Sequence, residues 1–116
     1  MTKLLAAWLV STAAVVLSSA PASAECGEVT IAEMNWASAG VAANLDKLIL
    51  EAGYGCKVEI VPGDTVPTFT SMNEKATPDI APELWVNSMR TAYDQAISEN
   101  RLVRATDFIP NERVAA

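Results

Sequence analysis

Residues 28–61 follow a strand, helix, strand pattern, which restricts the fold of this chain more than any other feature. Segments 28–34 and 56–61 alternate apolar and polar side chains, as half-buried strands do. Between them, Ser38 is expected to cap a helix and Gly53 to end it. The predicted buried face of that helix comprises Val41, Leu45, Leu48, Ile49 and Ala52. Two strands joined through a helix are expected to lie parallel, so both start at the same edge of the sheet.

The first 24 residues have the order of regions found in a secretory signal peptide. Lys3 precedes an apolar run over residues 4–17, and a stretch of small residues ends in Ala22-Ser23-Ala24. The apolar run is shorter than the roughly 20 residues of a membrane-spanning helix, so no stable membrane anchor is expected after cleavage. We therefore predict a signal peptide over 1–24, a mature chain over 25–116 and a periplasmic location.

The chain contains two cysteines, Cys26 and Cys56, and each stands at the start of a predicted strand. In an exported protein such a pair is more often a disulfide than a metal site. A bridge between two strand starts agrees with the parallel pairing. The sequence therefore predicts a disulfide and no metal site.

The rest of the chain continues the alternation of helix and strand. A short helix is predicted over 65–75, capped by Asp64 or Thr65, with Val66, Phe69 and Met72 along one side. A third, short strand is predicted within 79–86, interrupted by Pro82.

Asn87 or Ser88 is expected to cap a final helix that ends near Asn100. Its predicted buried face comprises Met89, Ala92, Tyr93, Ala96 and Ile97. A fourth strand is expected to begin at Leu102 and Val103. The pattern indicates an α/β fold of three layers with a mostly parallel sheet, in a chain that looks truncated.

The composition argues against several kinds of chemistry. The chain has no histidine, the usual general base and a common zinc ligand, so no enzyme activity is expected. Gly53-Tyr54-Gly55 follows a helix, whereas phosphate-binding loops precede one, and no cofactor is predicted. The net charge of -6 argues against nucleic acid as a partner.

Two tryptophans stand out by position. Trp36 follows the first predicted strand and Trp85 ends the third, and ligands of parallel sheets bind beyond the carboxyl ends of strands. Tryptophan faces are the best side-chain surface for a quaternary ammonium cation. The alternative is that both are ordinary core or rim residues, and by pattern alone this is the commoner case.

Several ordered motifs resemble one known family, the periplasmic substrate-binding proteins of glycine betaine, proline-betaine and choline ABC transporters. The motifs are Met34-Asn35-Trp36, Leu50-Glu51-Ala52-Gly53-Tyr54-Gly55, Val66-Pro67-Thr68-Phe69-Thr70-Ser71-Met72, Pro78-Asp79-Ile80 and Leu84-Trp85-Val86. The resemblance covers essentially all of the mature chain. It implies the first lobe of a type II periplasmic-binding-protein fold, in which two lobes close on the ligand.

The resemblance also implies a site. Trp36 and Trp85 match aromatic residues of a box around the trimethylammonium group, and the backbone near Ser38 and Asn87 is expected to add polar contacts. The implied partners are a small quaternary ammonium ligand, a permease and an ATPase. Family chains are about three times as long, so residues 25–116 correspond to an incomplete amino-terminal lobe. Some choline-binding relatives carry an acidic residue where this chain has Ser38, which slightly favours a betaine as ligand.

The sequence thus predicts the solute-binding component of an importer, which delivers a betaine to its permease without chemistry. One alternative is a small exported module stabilised by a disulfide, with a structural or interaction role. A non-functional fragment is another. An exported hydrolase is disfavoured because the chain has no histidine.

Overall fold

The computed structural model describes residues 26–105, and the predicted signal peptide lies outside the described residues. Its elements are the strand β1 (Glu28–Met34), the helix α1 (Ala37–Tyr54), the strand β2 (Lys57–Gly63), the helix α2 (Thr65–Lys75), a 3-10 turn (Val86–Met89) and the helix α3 (Arg90–Ser98). The described chain is therefore a mixed α/β structure.

The two strands pair in parallel, as predicted. Glu28 lies opposite Lys57 at one end of the ladder and Met34 lies opposite Gly63 at the other. Ile31 of β1 is completely buried and belongs to the core cluster under α1. This pairing brings the carboxyl ends of both strands to one edge of the sheet.

The predicted disulfide is present between Cys26 and Cys56, with a Cα to Cα distance of 4.7 Å. Beside it, the Lys57 backbone N–H donates to the Gly27 carbonyl at 2.8 Å. Cys56 is buried in the core cluster with Ile31. The disulfide therefore links the starts of β1 and β2 covalently.

The ends of α1 differ from the prediction. The helix begins at Ala37 with Trp36 as the N-cap residue, so Ser38 lies inside the first turn and does not cap the helix. It ends at Tyr54, one residue beyond Gly53. Gly55 has a φ of 69°, the left-handed conformation that glycine adopts without steric cost, and its N–H donates to the Glu51 carbonyl.

The predicted buried face of α1 is wrong. Val41, Leu45, Leu48 and Ile49 are 71%, 52%, 62% and 49% exposed, and Ala52 is exposed too. The helix instead buries the small residues Ala39, Ala42 and Ala43. Because α1 carries apolar residues on two opposite sides, its periodicity predicts a helix without showing which side packs. Because their side chains are small, these alanines let α1 pack close against the sheet.

The third predicted strand is reduced to a single bridge. Ile80 pairs in parallel with Ile31, and the Ala32 N–H donates to the Ile80 carbonyl at 2.8 Å. Residues 81–85 form no strand. Pro82 lies two residues after the bridge and has no N–H to donate to a neighbouring strand. The bridge nevertheless places a third parallel segment beside β1.

Helix α2 begins and ends where predicted. Asp64 is its N-cap, and the carboxylate oxygen Oδ1 accepts a hydrogen bond from the Thr65 N–H at 2.7 Å. Phe69 is buried and Met72 half-buried, but Val66 is 54% exposed. The predicted apolar side is therefore only partly packed.

The end of the described chain departs furthest from the prediction. Neither Asn87 nor Ser88 caps a helix, because the chain first forms the 3-10 turn and α3 begins at Arg90. Of the predicted buried face only Ala96 is buried. Met89, Tyr93 and Ile97 are half-buried, and Ala92 is exposed. Leu102 and Val103 form no strand. The described sheet thus has two strands and one bridge, whereas the predicted three-layer fold has four strands.

Candidate ligand-binding site

The candidate site lies at the carboxyl edge of the sheet. Trp36 follows the end of β1 by two residues, and Trp85 follows the Ile80 bridge by five. Both segments run parallel, so both tryptophans leave the sheet on the same edge, where ligands of parallel sheets bind. Trp36 follows a strand as predicted, whereas Trp85, predicted to end the third strand, lies in a segment that forms no strand.

Asp79 fixes the segment that carries Trp85. Oδ2 of Asp79 accepts hydrogen bonds from the backbone N–H and the hydroxyl of Thr30, both at 2.7 Å. In return, the Asp79 N–H donates to the Thr30 carbonyl at 3.0 Å. The Thr30 hydroxyl, followed by its N–H, lowers the pKa of Asp79 because both donors stabilise the charged carboxylate. This clamp holds the Ile80 segment against β1.

Glu83 is the centre of the polar contacts in the site. It is only 8% exposed, and Oε1 accepts a hydrogen bond from the Trp85 indole N–H at 3.1 Å. The Ser38 hydroxyl donates to the same oxygen, also at 3.1 Å. The other oxygen, Oε2, is buried without a hydrogen-bond partner among residues 26–105. One carboxylate therefore joins the first turn of α1 to the segment after the bridge.

Trp36 and Trp85 have different surroundings. Trp36 is half-buried against the cluster of Ala32, Met34 and Ala39, and its indole N–H is buried without a partner in the described part of the chain. Trp85 is 47% exposed. Trp85 thus presents a ring to solvent, whereas Trp36 is in large part a packing residue.

A cleft of about 890 Å³ lies beside Trp85. Its lining includes Leu45 and Asp46 from α1, Glu83 and Trp85, and Tyr93 from α3. Trp36 and Ser38 are not among the lining residues. The described structure therefore brings Ser38, Glu83 and Trp85 together, but it does not place both tryptophans in one cleft.

Asn87 lies in the wall of this cleft together with Arg90. Its Oδ1 accepts a hydrogen bond from Nη2 of Arg90 at 3.0 Å. Both residues are exposed, so the amide N–H₂ of Asn87 remains able to donate to a ligand.

Sequence reasoning missed Glu83 and assigned Tyr93 to the core alone. The available signal for Glu83 was its position two residues before Trp85, close enough for a side chain to reach the indole. The half-buried Tyr93 lies on the side of α3 that faces the cleft. A residue at the margin of a core and a residue that lines a cleft share the same helical spacing, so periodicity does not separate them.

Within residues 26–105, no group of three or more histidine, cysteine, aspartate or glutamate side chains is arranged to hold a metal ion. None of the helices described for those residues combines the length and apolar character needed to cross a membrane.

Comparison with known families gives the class of the protein. A family model described as the substrate-binding domain of ABC-type glycine betaine transport systems matches residues 27–115. The chain belongs to this family. The structure, with its parallel strand pair, is compatible with part of a binding-protein lobe. No individual curated protein matches the chain significantly.

Family membership has three consequences at the level of class. Proteins of this family bind a substrate for an ABC importer and are not enzymes. They act outside the cytoplasm, and the disulfide between Cys26 and Cys56 fits that setting. Small ligands and transporter subunits are the general partners of the class.

Proposed function

We propose that this chain is the periplasmic solute-binding component of an ABC importer for a quaternary ammonium compound such as glycine betaine. It binds the ligand and delivers it to the permease, which works with an ATPase, without chemistry. The signal peptide over 1–24 directs export. Residues 25–116 form the first lobe of a type II binding-protein fold, and a second lobe would complete the closure on the ligand.

The observation that carries this proposal is the exposed ring of Trp85 in the cleft. The indole N–H of this ring donates a hydrogen bond to the Glu83 carboxylate. A trimethylammonium group cannot donate a conventional hydrogen bond, so a protein recognises it by aromatic faces and negative potential. The exposed amide of Asn87 is suited to a carboxylate at the other end of a betaine. Trp36 supports the same edge from the core side.

The test is a titration of the full chain with glycine betaine, followed by tryptophan fluorescence. We expect a saturable change in emission, with competition by choline or proline betaine. Trp85→Ala should abolish the change. Tyr54→Ala, which truncates an exposed aromatic residue at the far end of α1, should leave it intact. Unchanged emission of the wild type on addition of glycine betaine would contradict the proposal.

A second candidate function is an exported interaction module, and the exposed apolar side of α1 favours it. Val41, Leu45, Leu48 and Ile49 lie together on that side. Isolated exposed apolar residues are common, but a continuous stripe on one helix is typical of an interface. Light scattering over a range of concentrations separates the candidates. An interaction module should self-associate and lose this property in Leu48→Glu, whereas a pure solute carrier should remain monomeric.

A further inference from the structure

We propose that Glu83 determines the ligand class of the cleft: its carboxylate holds the Trp85 indole and makes the ring select a cation over a neutral group of the same shape. The proposal rests on the proposed function, because it concerns the ligand of the same cleft. It assigns to Glu83 a role in ligand specificity that acts through Trp85.

The first step is the geometry of the carboxylate. Oε1 lies 3.1 Å from Nε1 of Trp85 and 3.1 Å from Oγ of Ser38. Oε2 is buried and has no hydrogen-bond partner within residues 26–105. An unpaired buried acceptor is rare in proteins, because its desolvation is not compensated. This oxygen can therefore accept a further hydrogen bond or be compensated by a nearby positive charge.

The second step is the effect of the hydrogen bond on the ring. The attraction between a cation and an aromatic face is electrostatic and depends on the negative potential of the ring. When the indole N–H donates to a carboxylate, the bond is charge-assisted and polarises the donor. The potential on the exposed face of Trp85 becomes more negative as a result. A bound cation is attracted by the ring and by the carboxylate behind it.

The third step concerns the other charges of the cleft wall. Arg90 is bonded to Asn87, and Nη2 of Arg101 lies 2.7 Å from Oε2 of Glu99. Arg104 lines the cleft as well, and within residues 26–105 neither Arg90 nor Arg101 forms a hydrogen bond or an ion pair with Glu83. Asp46 and Asp79 add two further acidic groups to the lining. Arg90 and Arg101 therefore do not neutralise the Glu83 carboxylate.

The experiment compares two probes on the full chain, glycine betaine and tert-butylacetate, in which a neutral tert-butyl group replaces trimethylammonium. Glu83→Gln keeps the size of the side chain and an acceptor for the indole but removes the charge. We expect it to weaken glycine betaine about fivefold or more and tert-butylacetate less than twofold. Glu74→Gln, an equal loss of charge at an exposed position of α2, should change neither affinity.

The outcomes are distinguishable. Equal weakening of both probes in Glu83→Gln would show that Glu83 only braces the segment, and would overturn this inference while leaving the proposed function standing. Failure of wild type to bind glycine betaine would overturn both.

A measurement on wild type decides the question if Glu83→Gln does not fold. The Trp85 indole proton, assigned by Trp85→Phe, should exchange slowly with solvent and shift downfield with glycine betaine, because a cation over the ring strengthens the N–H donor. Rapid exchange, or no shift in a protein that binds the betaine, would overturn the inference.

Discussion

The indole nitrogen of Trp85 lies 3.1 Å from Oε1 of Glu83. The same oxygen accepts the hydroxyl of Ser38, which comes from the first turn of α1. Two elements distant in sequence thus share one buried acceptor. Because hydrogen bonds to charged groups contribute about 1.5 to 3 kcal/mol each, this junction orders the edge of the sheet where the cleft opens.

The first prediction concerns the coupling of the two donors. Ser38→Ala and Trp85→Phe should each lower the free energy of unfolding by about 1 to 2 kcal/mol, and their combined effect should differ from the sum by at least about 0.5 kcal/mol. Urea unfolding of the two single variants and the double variant measures this. Ser88→Ala, at an exposed position in the 3-10 turn, is the control. Strict additivity would contradict a shared acceptor.

The second prediction is a pH dependence from Asp79. Its pKa is lowered from 3.8, chiefly by the Thr30 hydroxyl, so the folded protein binds this proton less readily than the unfolded chain. The stabilisation is present above the ordinary aspartate value and is lost as the pH falls through the lower folded pKa. Wild type should therefore lose stability below about pH 4.

Thr30→Val isolates this contribution, because it removes the hydroxyl and keeps the backbone N–H. The stability difference between wild type and Thr30→Val should be constant near neutral pH and should narrow below about pH 4. Other carboxylates, such as Glu28 and Glu51, also have lowered pKa values. Their contributions to the pH dependence are the same in both proteins and cancel in the difference. Thr70→Val, on an exposed position of α2, should show no such narrowing.

The third prediction concerns the disulfide. Its cysteines are 30 residues apart, and closing a loop of that length stabilises the fold by about 3.5 kcal/mol in the chain-entropy model. Cys26→Ser combined with Cys56→Ala should lower the free energy of unfolding by about this amount. A reducing agent should destabilise wild type and leave the double variant unchanged. Equal stability of the oxidised and reduced wild type would contradict the prediction.

The beginning of the fold could be predicted from the sequence because its signals are local. Alternation identified β1, cysteine placement identified the disulfide, and the predicted cap at Asp64 or Thr65 marked the start of α2. Parallel pairing followed from the connection through α1. Each of these depends on residues close in sequence or on a general rule of chain topology.

The rest depended on packing partners that no local pattern encodes. The segment after Ile80 has strand-forming residues, but Pro82 and the hydrogen bonds of Glu83 turn it away from the sheet. Trp36 and Trp85 were predicted as equals, yet only Trp85 lines the cleft. Ser38 was predicted as a cap, and its hydroxyl instead meets a carboxylate 45 residues away.

The two apolar sides of α1 give the last prediction. Ala43 is completely buried against the sheet, in a cluster with Ile31 and Val58, so Ala43→Leu has no space for the added carbons. Overpacking of this kind lowers the free energy of unfolding by about 1 to 3 kcal/mol. Leu48 is 62% exposed, so Leu48→Ala should change stability by less than about 0.5 kcal/mol in the monomer. Urea unfolding at low protein concentration measures both. If α1 packed through the side that its periodicity first suggested, the order of the two effects would be reversed.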